Sequence, residues 1–213
     1  VNDFYIISFA TKDSPYVDLL SNYLEKSLKK FNLKYSLSII EGKRTWYQNT
    51  ALKPKFILES LEKLNSDVVW IDADATIEKE PILFYNIEKN IDIALHRLHW
   101  NIWYNYPNSK ITELLTGTIY IRNSNKMKEL SQEWYEKSVK TNTWEQKILA
   151  SILEKRKDIN IYELPLEYCY INTLPGGREP YIKCDNVVIR HFQASREWKR
   201  KLHIQNLLNK RKK

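Results

Sequence analysis

The feature that most limits the architecture is an alternation. Phe4–Ala10 is a nearly unbroken run of β-branched and aromatic residues. A helical stripe at Val17, Leu20, Leu24 and Leu28 follows it, and then the alternating stretch Tyr35–Ile40. Phe56, Ile57, Leu61 and Leu64 mark a second helix within Lys53–Leu64, and Asp67–Ile71 is again short and apolar. Continuous apolar strands are covered on both faces, and strand–helix–strand units at this spacing join parallel strands by right-handed crossovers. Ser14 is placed to cap the first helix, with Pro15 as its first residue. Further on, Ile91–Leu95, Thr118–Ile121, Ile159–Glu163 and Val187–Ile189 read as strands, and Asn125–Val139 and Thr143–Glu154 as helices. With 213 residues and no Gly/Ser linker or internal repeat, the expectation is one α/β domain: a mixed, mostly parallel sheet flanked by helices.

Charge narrows the partners. Of the formal net charge of +8, +7 belongs to residues 196–213, where eight basic residues face Glu197 alone; the preceding 195 residues carry about +1. Residues 99–109, rich in Trp and Tyr, contain no Lys or Arg. A stacking platform for nucleic acid needs positive charge around its aromatics, so no nucleic-acid partner is expected. No apolar run approaches the ~18 residues of a membrane span. Cys169 and Cys184 are too far apart for a CxxC site, and no basic-then-apolar leader is legible. The expectation is a monomer in a reducing cytoplasm, or a domain of a longer chain opening at Val1 without Met.

The most informative stretch is Asp67-Val-Val-Trp-Ile-Asp72-Ala73-Asp74-Ala-Thr76. An apolar strand delivers two carboxylates, one residue apart, where it leaves the sheet. Ligands of open α/β sheets bind beyond such strand ends. Two ionised carboxylates at this spacing repel, and a hard divalent ion such as Mn²⁺ or Mg²⁺, completed by substrate phosphates, relieves the repulsion. Asp72-Ala-Asp74-Ala-Thr76 also fits the DxDxT of haloacid-dehalogenase-type phosphohydrolases. That motif, however, follows a first core strand and needs a paired-Asp motif late in the chain, where only Asp158 and Asp185 stand, each alone.

Several blocks, in order and spacing, resemble the GT-A glycosyltransferases, which transfer a sugar from a nucleotide diphosphate donor. They are Trp46-Tyr-Gln-Asn49, Lys53-Pro54-Lys55, the stretch through Asp74, Thr116-Gly117-Thr118 onward to Asn123, Trp144-Glu145-Gln146, and Arg190-His191-Phe192-Gln193. The resemblance runs over about residues 4–200, and the small size is similar to capsid-glycosylating transferases of large algal viruses. It implies a GT-A-like, Rossmann-like domain: residues 1–95 for the nucleotide, 96–195 for sugar and acceptor, and 196–213 a basic helix or tail. The implied metal ligands are Asp74, Asp72 (or the donor ribose) and His191. Ala10, Thr11 and Tyr16 would cradle the nucleoside, Arg44 and Lys55 would reach ribose or phosphate, Ala73 would line the donor, and Arg97 would touch its sugar. Ser195, Arg196 and Lys199 would close over the diphosphate, although the family's more usual Gly and Lys-Pro are missing there. The donor is expected to be a UDP-sugar and the acceptor a glycan or glycoprotein.

Sugar transfer needs positive charge beside the departing diphosphate and, for inversion, a carboxylate base. Glu145 is the candidate carboxylate, with Gln146 a sugar contact beside it. A Glu at a helix start is also favoured simply by the helix dipole. Stereochemistry stays open, the resemblance leaning to retention. The aromatic stretch His96–Tyr106 reads either as a wall for a sugar ring or as a flap of the core; a His-x-x-His zinc site lacks further ligands nearby.

Overall fold

The computed structural model describes residues 2–141 and 143–194. Ser195, Arg196, Lys199 and the basic tail, for which roles are expected above, lie outside the described residues. Six strands form the main sheet: β1 (Phe4–Thr11), β2 (Tyr35–Ile40), β3 (Asp67–Ile71), β5 (Ile93–His99), β6 (Thr112–Ile121) and β7 (Ile161–Glu163), in the order β2-β1-β3-β6-β5-β7. β1 pairs parallel with β2 and β3, and β5 with β7, whereas β6 runs against both β3 and β5. The result is a mixed, mostly parallel sheet. A smaller sheet of β4 (Ala75–Ile77), β9 (Ile189–His191) and β8 (Tyr170–Ile171) stands beside it.

The apolar runs of β1 and β3 are continuous because both strands feed two cores. Ile6, Val69 and Ile71 pack with Leu20, Leu24 and Leu28 on one face. Ile7, Val68 and Trp70 pack with Ile57, Leu61, Leu130 and Trp134 on the other. The first helical segment runs as α1 (Tyr16–Leu19), a π-helical stretch (Leu20–Glu25) and α2 (Lys26–Lys30). Leucines spaced four apart drift about 40° per step on an ordinary helix, and the wider π turn compensates. α3 (Trp46–Thr50) opens on a capping box between Thr45 and Gln48 and leads into α4 (Leu52–Leu64), which ends on Asn65 in the left-handed region at φ 47°. α5 (Ile82–Tyr85) and α6 (Trp100–Trp103) are single turns. α7 (Asn125–Val139) and α8 (Glu145–Lys155) cover the second face.

Several sequence expectations are corrected. Ser14 does not cap α1; its hydroxyl donates to the Thr11 carbonyl, and the helix begins at Tyr16 after Pro15. β5 and β6 are longer than expected, β7 begins at Ile161 and β9 is displaced to Ile189–His191. β4 and α3 were not anticipated: three residues are too few for a periodicity, and the α3 signal is a cap rather than a stripe.

Trp134 of α7 ties the layers to the start of α8. It is fully buried and its Nε1 donates to the Glu145 carbonyl at 2.8 Å. Trp134→Phe removes that hydrogen bond and opens a small void, and urea unfolding is expected to show a loss of about 2–3 kcal/mol.

Candidate active site

β1, β3 and β5 all point their carboxyl ends at one edge of the sheet, and the candidate site is built there. Asp72 and Asp74 follow β3 directly, and the Asp72 N–H donates to the Gly117 carbonyl of β6 at 2.9 Å. The small sheet brings in the third residue: β9 lies antiparallel to β4 with His191 opposite Ala75. One ligating atom from each of Asp72, Asp74 and His191 lies within 4.8 Å of the others. A pairing between segments more than a hundred residues apart thus sets an imidazole beside the acidic turn.

Burial and bonding make this corner unusual. Asp74 is nearly inaccessible; its Oδ2 accepts from the Ala194 N–H at 2.7 Å, and its carbonyl accepts from the Phe192 N–H. Burial, and then the Asp72 charge, push the Asp74 carboxyl up to about 6. Burial lowers His191 to about 4, against the pull of Asp72, so its ring is neutral at neutral pH. His191 Nε2 lies 2.8 Å from Thr118 Oγ1, and Nδ1 is buried without a hydrogen-bond partner among the described residues. Two hard oxygen donors plus a neutral imidazole nitrogen with no other use fit a divalent cation such as Mn²⁺ or Mg²⁺.

Behind the acids sits Lys53, only 6% exposed. Its Nζ is 3.1 Å from Asp72 Oδ1 and 2.9 Å from Glu145 Oε1, and it donates to the Thr116 carbonyl at 3.0 Å. Burial alone would lower its pKa; Asp72 and Glu145 more than offset this and hold it above the ordinary lysine range. Trp70 Nε1 also donates to Asp72 Oδ1, at 2.8 Å. Glu145 accepts from Thr116 Oγ1 at 3.0 Å, and Gln146 Oε1 accepts from the Thr116 N–H at 3.4 Å. α4, β6 and α8 therefore meet at one ammonium.

The structure thus brings together Asp72, Asp74, His191, Glu145 and Gln146, with Ala73 buried between the acids. Other expected residues stand apart. Lys55 is exposed on α4, paired with Glu59 and over the Tyr135 ring, so Lys53 takes the position beside the acids. Arg97 of β5 pairs with Glu163 of β7 at 2.7 Å. Arg44 is exposed in the loop before α3. Ala10 is buried at the end of β1, followed by Thr11; Tyr16 packs partly against the first core. Just beyond them, an open depression is lined by Lys12, Asp13, Ser14, Val17, Ile39 and Glu41. Sequence reasoning missed Lys53, Thr116 and Thr118. The available signal was that Lys53 lies four residues before Ile57, on the buried stripe of α4.

Lys53→Met takes from Asp72 and Glu145 the cation they share, and chemical unfolding is expected to register a loss of about 3–5 kcal/mol at neutral pH. Restoring the charge with Lys53→Arg is expected to recover part of that loss.

Comparison with known proteins places this geometry. Residues 26–205 match the family described as nucleotide-diphospho-sugar transferase. Among curated proteins, no sequence matches this chain. Solved structures share its fold at low identity. A glycosyltransferase involved in glycosylating the major capsid of PBCV-1 aligns with a TM-score of 0.66 at 13% identity, over 95% of this chain and 98% of that one. Mouse xyloside xylosyltransferase 1 aligns at 0.55 and 11% identity, over 91% and 99%. The galactosyltransferase LgtC, in complex with donor and acceptor sugar analogues, aligns at 0.52 and 10%, over 88% and 86%. The phosphohydrolase reading of Asp72–Thr76 is not the family the chain matches. On the family match, which covers most of its length, the chain belongs to the nucleotide-diphospho-sugar transferases and is a glycosyltransferase.

Proposed function

We propose that the chain transfers a sugar from a UDP-sugar to a hydroxyl of a glycan or glycoprotein, with Mn²⁺ or Mg²⁺ held by Asp72, Asp74 and His191. The observation that carries this reading is the convergence of those three side chains at the ligand-binding edge of the sheet. A cation held there supplies Lewis-acid stabilisation of the departing diphosphate. The depression beyond β1 and β2 is the place for the nucleoside, next to Thr11 and Tyr16.

The chain's own residues divide the remaining work. Lys53 keeps a fixed positive charge against Asp72, and Trp70 holds the same carboxylate oxygen, so Asp72 is oriented before any donor arrives. Glu145 spends its carboxylate on Lys53 and Thr116, which suits an anchor better than a base open to an acceptor. That favours same-face transfer with retention. Gln146 has its oxygen engaged at Thr116, leaving its NH₂ as the end to donate to a sugar hydroxyl.

The acceptor is assigned to the aromatic tip of the β5–β6 hairpin. Here the sequence expectation divides: Trp103 is core, packed with Tyr170, Trp100 and Tyr104 are half-buried against that core, and Tyr106 is exposed and contacts both of them. Tyr104 and Tyr106 stack at 6.1 Å with planes 13° apart, and Asn101, Asn105 and Asn108 are exposed among them. Aromatic faces and amides without net charge suit sugar rings.

Two measurements test the proposal. UDP with Mn²⁺ at a hundred times Kd is expected to add about 2.7 kcal/mol, raising Tm by roughly 5–10 °C, with the gain lost in EDTA and in Asp74→Asn. An Asp74→Asn protein that binds UDP with Mn²⁺ as well as the parent does would refute the metal reading. Tyr106→Ala is expected to raise acceptor KM several-fold while leaving donor hydrolysis unchanged; an unaltered KM would remove the hairpin tip from the acceptor site.

A further inference from the structure

Two consecutive residues of β6 bear on His191 in different ways. At Gly117, an added Cβ would lie 2.9 Å from the ring's Cε1 and 3.1 Å from Nδ1, so the imidazole occupies space that any other residue would fill. At Thr118, fully buried, the hydroxyl oxygen lies 2.8 Å from Nε2. The other ring nitrogen, Nδ1, is buried and without a hydrogen-bond partner among the described residues. Nε2 therefore has a polar partner among these residues, and Nδ1, equally buried, has none.

A neutral imidazole offers a lone pair on one nitrogen only, and the proton on the other decides which. We infer that Thr118 is a positioning residue: it accepts the Nε2–H of His191 and so keeps the Nδ1 lone pair turned out for a divalent cation. The inference rests on the metal reading proposed above. Ligand histidines as a rule give their second N–H to a fixed acceptor, and loss of that acceptor weakens the metal by one to two orders of magnitude. Without Thr118 Oγ1, binding at Nδ1 strands a buried Nε2–H. Gly117 contributes the matching space, and its carbonyl receives the Asp72 N–H, so one dipeptide fixes two of the three ligands.

The experiment is Mn²⁺ binding to the free protein without nucleotide, followed by the EPR signal of unbound Mn²⁺, for the wild type, Thr118→Val and Thr118→Ser. Valine keeps the shape and removes the acceptor. Its Kd is expected to rise about 10–100-fold, while serine restores affinity to within about threefold. Nitrogen NMR of the histidine rings in EDTA is expected to show His191 protonated at Nε2 in the wild type. Equal Mn²⁺ affinity in Thr118→Val and wild type, or a ring protonated at Nδ1, overturns the role of Thr118 and leaves the metal site standing. A wild type that does not bind Mn²⁺ overturns the metal reading itself. If Thr118→Val does not fold, a Thr118→Ser affinity weaker by tenfold or more, or the Nδ1-protonated ring, still refutes the assignment.

Discussion

The site depends on one buried ammonium. Lys53 stands between Asp72 and Glu145, within 3.1 Å of both, in a setting that by itself would strip its charge. Two nearby carboxylates at the mouth of an apolar strand are otherwise hard to keep ionised, and a buried cation removed from such a cluster costs far more than a surface pair. The ammonium also joins elements remote in sequence: α4 carries it, β6 accepts its hydrogen bond at Thr116, and α8 contributes Glu145.

On that base the two sheets divide the labour. The large sheet presents acidic residues at its ligand edge through β3. The small sheet returns the chain so that His191 of β9 lies opposite Ala75. Arg190, the neighbour of His191, is clamped by Glu78 and lies over the Tyr170 ring, which holds β9 in register. The charge pairs of this region align strands, while burial tunes the groups meant for chemistry.

Much of this could be read directly from the residues. β1 and β3 are continuous apolar runs bounded by turn-forming residues, β2 alternates, and the acid pair follows β3 without interruption. His191 was legible through the resemblance, but its approach to Asp74 depends on β4, whose three residues carry no period. Lys53 was hidden for a physical reason: a lysine on a helix is ordinarily solvated, and only its register with Ile57 betrays a buried one. The aromatic run at 96–106 could not be divided from its letters, because Trp103 and Tyr106 differ in burial through tertiary packing alone, 2% against 45% exposed.

The direction of β6 has a consequence for how such a chain can vary. Side chains along a strand alternate faces, so inserting or deleting a single residue between Leu114 and Ile121 would swing the Thr118 hydroxyl away from the imidazole and press a methyl or larger group against it. Beyond Trp103, which is packed into the core, the turn joining β5 to β6 is under no such restriction, and changes of length there alter how far the tip projects. Descendants of this sequence are therefore free to remodel the reach of the hairpin, while the lower half of the same strand is frozen to the residue.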